Sequence, residues 1–221
     1  MQTATGRKEA RRAGEAGFSL IELVVAIGVT LVIMVVASRL LSMSMLVRQR
    51  ENQRSEAVAD VQRALQAMSR EISNAGLGMK NNGLVAADSD DTSIRIRSNL
   101  NAICSTVSAC DSDTNDPGED VAYAIITDTD DTGAQQRLIT RQDVKNGNTI
   151  SQIANRIDDL KFEYFKPDGT ATPDASLAQK VKITVTVTLR AVGRPGQPGY
   201  QPPSQMQLVS EVVLRNLLLN N

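Results

Sequence analysis

The sequence predicts an α+β protein: one long N-terminal helix followed by a head built on an antiparallel β-sheet. Three observations predict it. Residues 18–37, FSLIELVVAIGVTLVIMVVA, form a 20-residue run with 16 apolar side chains, interrupted only by Ser19, Glu22, Gly28 and Thr30. Helix-forming residues continue without Pro or Gly from Ser38 to Ala75. Beyond Gly78 the apolar period changes to two, and strand candidates follow one another with no long helix between them.

The apolar run makes ~30 Å of helix, the thickness of a bilayer core. Val58, Val61, Leu65, Met68 and Ile72 continue it as one stripe at spacings of three and four. Two heptads are short for a coiled-coil stalk, so the stripe is expected to pack on a sheet, and Gly76 and Gly78 to end the helix. Gly28 is a candidate soft point midway.

Strand candidates are Ile94–Arg97, Val121–Ile126, a weaker Arg137–Thr140, and a segment in which Leu160, Phe162 and Tyr164 alternate with Lys161, Glu163 and Phe165. A turn at Pro167-Asp168-Gly169 follows it. The clearest strand is 181–190, with Val181, Ile183, Val185, Val187 and Leu189 on one face and Lys182, Thr184, Thr186, Thr188 and Arg190 on the other. A Pro/Gly-rich loop, 193–203, precedes a last strand near Gln207–Arg215.

The chain of 221 residues has a formal net charge of −1 and no histidine or tryptophan. Ser-His and Cys-His nucleophilic pairs and His-ligated metals are therefore excluded, and no phosphate-binding glycine loop is present. No enzymatic activity is expected. Aromatic residues are 3% of the chain, with no basic, aromatic-interleaved face, so direct nucleic-acid binding is not expected either. Cys104 and Cys110 are close enough in sequence for a small disulfide-closed loop in an oxidising compartment, two unpaired thiols being the other reading.

Between Asp88 and Asp131 stand eleven acidic residues and two basic ones, Arg95 and Arg97. Asp111, Asp113 and Asn115 have the alternate spacing of a calcium loop, with Asp116 following. The sixth position is Asp116 rather than Gly and the twelfth Ala122 rather than Glu, which excludes an EF-hand and leaves an irregular calcium site or a solvated, turn-forming loop. A shorter cluster, Asp128, Asp130 and Asp131, ends at Gly133 and has the same two readings.

Glu22 is the most informative residue. A carboxylate at the centre of a membrane helix costs roughly 2.5–3.5 kcal/mol, so an acid in such a run marks a functional site. The run is also too long for a signal-peptide core and lacks its small-residue exit. The segment Gly17-Phe18-Ser19-Leu20-Ile21-Glu22-Leu23 resembles the prepilin cleavage and methylation motif of type IV pilins and of the pseudopilins of type II secretion. Residues 1–17, with Arg7, Lys8, Arg11 and Arg12, are basic and polar like the leaders of that superfamily.

The resemblance implies a cleaved leader (1–17), a long helix (18–75, of which 18–37 spans the membrane and 38–75 is amphipathic) and a head (76–221). A membrane-embedded prepilin peptidase would cut after Gly17 and methylate the amine of Phe18. That amine would pair with Glu22 of a neighbouring subunit in the filament. The head segments REISNAGLG, IDDLKFEYF and VKITVTVTLRA look like those of PilW-type minor pilins, and also resemble the J-type minor pseudopilin. Implied partners are the peptidase, other major and minor pilins or pseudopilins, and an inner-membrane assembly platform. An adhesive or calcium-tuned tip module is a further reading of 104–120.

Basic residues flank the run on both sides, Arg39, Arg48, Arg50 and Arg54 balancing the leader, so charge does not fix topology. The cysteines and the resemblance place the N-terminus in the cytoplasm and the head in the periplasm, on a single-pass inner-membrane protein.

Overall fold

A computed structural model describes residues 18–101, 113–129, 133 and 135–218. It contains a long helix, α1 (Leu20–Ser73), followed by eight strands: β1 (Ser93–Arg97), β2 (Asp120–Thr129), β3 (Gln135–Asp143), β4 (Thr149–Ala154), β5 (Asp159–Phe165), β6 (Ala171–Thr172), β7 (Lys180–Leu189) and β8 (Ser204–Val213). The helix runs unbroken through Gly28. Its assigned end, Ser73, falls just short of Gly76 and Gly78, which both take left-handed backbone angles in the turns that follow. By its contacts the chain divides into two units, one ending at Met45 and one beginning at Leu46.

In the first unit the apolar side chains of α1 from Leu20 to Leu41 face outward, and Met43 is half-buried. Hydroxyls in this stretch are satisfied within the helix: Thr30 donates to the Ala26 carbonyl (2.7 Å), Ser38 to Met34 (2.8 Å) and Ser42 to Ser38 (2.9 Å). This is the one described helix long and apolar enough to cross a membrane.

The second unit carries two four-stranded sheets, with orders β1-β2-β3-β4 and β6-β5-β7-β8, and every pairing is antiparallel. The sequence pattern anticipates the antiparallel arrangement but not the division into two sheets. Two strands had no legible pattern: β4, four of whose six residues are exposed in a row, and the two-residue β6. β8 begins at Ser204, three residues earlier than its apolar pattern, because Gln205 and Gln207 pair in register with Thr188 and Thr186. β7 follows its alternation closely, and Val181, Ile183, Val185, Val187 and Leu189 are all buried.

The core lies where the C-terminal half of α1 meets both sheets. Val61, Leu65, Met68 and Ile72 join one apolar cluster with Ile94, Tyr123 and Ile139 of the first sheet and Leu160, Phe162 and Ile183 of the second. Val58, the first member of the expected stripe, stays half-exposed outside it, and Ala64 takes a buried place between the larger side chains. The sheets are tied directly as well: the Phe162 amide donates to the Asp91 carbonyl (2.8 Å), and the Ile157 amide to that of Arg137 (3.1 Å).

One backbone crossing admits no side chain. Gly83 has φ +73°, and a Cβ there would lie 2.1 Å from the Gly76 nitrogen and 2.3 Å from the Arg97 carbonyl oxygen. The contact seats the chain after α1 against the end of β1, where Gly76 N donates to Arg97 O and Arg97 N to Gly83 O. Gly147 also has a positive φ, +62°, but nothing lies within 4 Å of its Cβ position. Gly147→Ala should therefore cost only the left-handed strain of about 1–2 kcal/mol. Gly83→Ala must in addition displace backbone and should abolish cooperative folding; thermal unfolding of the two variants side by side checks the contrast.

Candidate functional site

At the start of α1, Phe18 is 85% exposed and Glu22 lies in the first turn, its side chain outward among apolar neighbours. The Leu23 amide donates to the Ser19 carbonyl (3.1 Å), so the turn that presents Glu22 is helical from its first residues. Among the described residues nothing forms an ion pair or hydrogen bond with the Glu22 carboxylate. An exposed acid on a surface of Leu, Ile and Val would be an unsatisfied group in lipid. Gly17, on the other side of the expected cleavage point, lies outside the described residues.

In the head, Cys104, Cys110, Asp111, Asp130 and Asp131 also lie outside the described residues. Asp113 accepts the Asn115 amide (2.9 Å) in a tight turn, and one Asp116 oxygen accepts the Asn101 side-chain amide (2.8 Å). Asp128 sits exposed at the far end of β2. The neighbouring Glu119 is 1% exposed, and its two oxygens accept the amides of Leu100 (2.7 Å) and Asp116 (3.2 Å). Asp143 holds the same loop by accepting the Gly118 amide (2.8 Å). Asp113, Glu119 and Asp143 are engaged by backbone amides and Asp116 by a side-chain amide, and among the described residues no group of three His, Cys, Asp or Glu side chains is arranged to hold a metal.

The structure brings together two clusters that the sequence reading passed over. On β2, Asp120 is fully buried opposite Arg97 of β1. Arg95 grips it with two nitrogens, Nε at 2.7 Å and a terminal nitrogen at 2.8 Å, while Arg97 Nε adds a third bond at 3.1 Å. Arg95 reaches Asp88 with its remaining arm (2.6 Å). Burial alone would raise the Asp120 pKa, but the hydrogen bonds and charges of the two arginines outweigh it and hold the carboxyl below its usual value. Arg95 shifts upward, chiefly through its bond to Asp120. The legible signal was there: Arg95 and Arg97 are the only basic residues of an acidic stretch and share one strand face.

The second cluster joins α1 to the first sheet. Tyr123 Oη donates to Glu71 (2.7 Å), and Arg141 Nε sits 3.0 Å and 3.2 Å from the two Glu71 oxygens. Burial, and then the Glu71 charge, push the Tyr123 phenol well above its ordinary pKa, so it stays a donor. No histidine, buried thiol or open nucleophile–base pair accompanies either cluster among the described residues, and both arrangements serve to hold elements together.

No protein-family model matches this chain, and no curated protein matches its sequence.

The Asp120 pair gives a defined pH dependence. Its folded pKa lies below the unfolded one, so its contribution is complete above the normal carboxylate range and is lost as pH falls through the folded value. Asp120→Asn should cost about 3 kcal/mol at neutral pH, because it leaves the arginines without their counter-charge. It should also flatten the acid limb of the stability profile. Denaturant unfolding of both proteins at several pH values between neutrality and acid measures each effect.

Proposed function

We propose that this chain is a minor pilin, a structural subunit of a type IV pilus that is processed by prepilin peptidase and polymerises through its N-terminal helix. The observation that carries the reading is Glu22: an exposed carboxylate in the first turn of an outward-facing apolar helix, with no partner among the described residues. Cleavage after Gly17 would create an ammonium on Phe18, four residues before Glu22. In a bundle of such helices the ammonium of one subunit meets the carboxylate of the next. Each charge removes the other's desolvation penalty, and the match fixes the axial register between subunits.

The head supports the same reading. Its core includes the C-terminal half of α1, so the segment that inserts among other helices and the body that meets other heads belong to one continuous element. The side-chain clusters described above link strands to one another and the helix to the first sheet. The membrane segment anchors the precursor in the inner membrane until assembly, with the head on the periplasmic side. A pseudopilin of type II secretion would use identical helix chemistry, and the location of the assembled filament separates the two.

Mass spectrometry of the assembled subunit should give an N-terminus at methylated Phe18. A chain in filaments that still begins at Met1 would overturn the proposal. Glu22→Val should insert in the membrane normally, since it removes a cost of roughly 2.5–3.5 kcal/mol at most. Its recovery in sheared filaments should nevertheless fall ~10-fold or more, the equivalent of losing about 1.4 kcal/mol of pairing. Undiminished recovery would remove the pairing mechanism.

A further inference from the structure

One end of the head is lined by arginines that have no carboxylate partner among the described residues. Three adjoining depressions lie there. The first, about 170 Å³, lies between α1 and the end of β7 and is lined by Gln53, Arg156 and Arg190. The second, about 470 Å³, is bounded by Arg50, Arg54 and Ser204. The third, about 430 Å³, is bounded by Arg137, Arg156 and Arg190. Leu189 joins the first to the second, and Arg156 and Arg190 join the first to the third. None of these arginines takes part in an ion pair among the described residues, in contrast to Arg95, Arg97 and Arg141 elsewhere in the head.

The lining has the marks of a built surface. Arg50 is 9% exposed, yet its guanidinium meets only neutral oxygens: the carbonyls of Arg190 and Pro202 and the hydroxyl of Ser204. A buried cation with no counter-ion carries a desolvation cost that an anion at this surface would offset. Arg156 holds φ +56°, a left-handed conformation uncommon outside glycine, and keeps its side chain exposed between two depressions. Carboxylates are present but sparse: Asp60 pairs with Arg63, Glu51 stands exposed, and Asp158 Oδ2 is buried without a partner.

We propose that this end of the head binds the anionic phosphodiester headgroups of the bilayer that the apolar segment of α1 enters. Guanidinium groups match phosphate oxygens in two-point hydrogen bonds, and juxtamembrane arginine clusters are drawn to anionic lipid. Chain connectivity favours lipid over an acidic protein partner. Arg50 stands thirteen positions beyond Ala37, a reach of at most ~45 Å by any path. The headgroup layer is therefore a polyanionic surface tethered by a short stretch of chain to Arg50 and Arg54 before any partner arrives. Binding there would dock the precursor on the membrane, and extraction into an assembly would release it. The inference rests on the membrane span alone, so an unprocessed N-terminus would defeat the pilin reading and leave this one intact.

Thermal unfolding of the full chain in a neutral detergent, with added phosphatidylglycerol, phosphatidylcholine or inorganic phosphate, tests the proposal. Phosphatidylglycerol should stabilise the head, the effect should vanish at high salt, and phosphatidylcholine should give none. The triple variant Arg54→Gln, Arg156→Gln, Arg190→Gln should keep its lipid-free unfolding temperature. These side chains make no ion pair, and the Arg50 clamp uses the backbone of residue 190. Phosphatidylglycerol affinity should drop ~5-fold per arginine removed, ~100-fold in all. Should that variant misfold, Arg54→Gln alone carries the test with a ~5-fold loss. Equal stabilisation by phosphatidylcholine, an unchanged response in the variants, or a phosphate effect as large as the lipid's would each overturn it. So would variants that bind lipid normally but lose a protein partner.

Discussion

Every other feature of the head hangs on one helix face that both sheets share. Val61, Leu65, Met68 and Ile72 are 0–7% exposed, and each such burial contributes about 1.5–3 kcal/mol. Without that face, two four-stranded sheets would each expose an apolar side. Polar clamps then fix the helix against both. Glu71 reaches Tyr123 and Arg141 of the first sheet, Ser69 meets Ser210 of the second at 2.9 Å, and Asn216 donates to the carbonyls of Asn74 and Ala75. Arg50 does the same further toward the N-terminal side, gathering the two ends of the loop between β7 and β8. The apolar face supplies the driving force and the clamps supply the register, since a rotation of α1 would break all of them together.

How much of this was legible depended on whether one residue's environment is set by its sequence neighbours. The stripe of α1 and the alternation of β7 were readable because one face meets the core and the other meets water, which imprints the period directly. β4 was not, because its residues are largely exposed and carry no apolar alternation. The split into two sheets was hidden for a related reason: it is decided by which edges pair, and β5 and β7 look alike whether they extend the first sheet or begin another. Val58 shows the reverse limit, since it fits the period yet stays half-exposed outside the core cluster, while its neighbour Ala57 packs against that cluster.

The candidate sites divide along the same line. Glu22 was legible because an acid in an apolar run contradicts its local context. Asp113, Asn115 and Asp116 had a suggestive spacing, but spacing does not say what the oxygens already hold, and the structure gives several of them amide partners. Asp120 was invisible as an individual residue among many acids. Its importance comes from Arg95 and Arg97 converging across the strand pair, a fact of register rather than of sequence distance.

Charge is distributed in this head by whether it is spent. Around Asp120 and Glu119, buried carboxylates are matched donor for acceptor by arginines and backbone amides, and the result is a closed, rigid structure. Around Arg50 and Arg190 the cations meet carbonyls, a hydroxyl or water, and positive charge is left over. Glu22 is the mirror case, a negative charge with no described partner on an apolar surface. A folded chain that satisfied only its own stability would pair or remove such groups, because unpaired charge in a poorly solvated place costs free energy that hydrophobic substitution recovers. Their presence at Glu22 and in the cluster that begins at Arg50 is understandable if their counter-charges arrive from outside. On the function proposed above, the counter-charge of Glu22 is a neighbour's ammonium; on the lipid proposal, that of the arginines is the phosphates of the membrane.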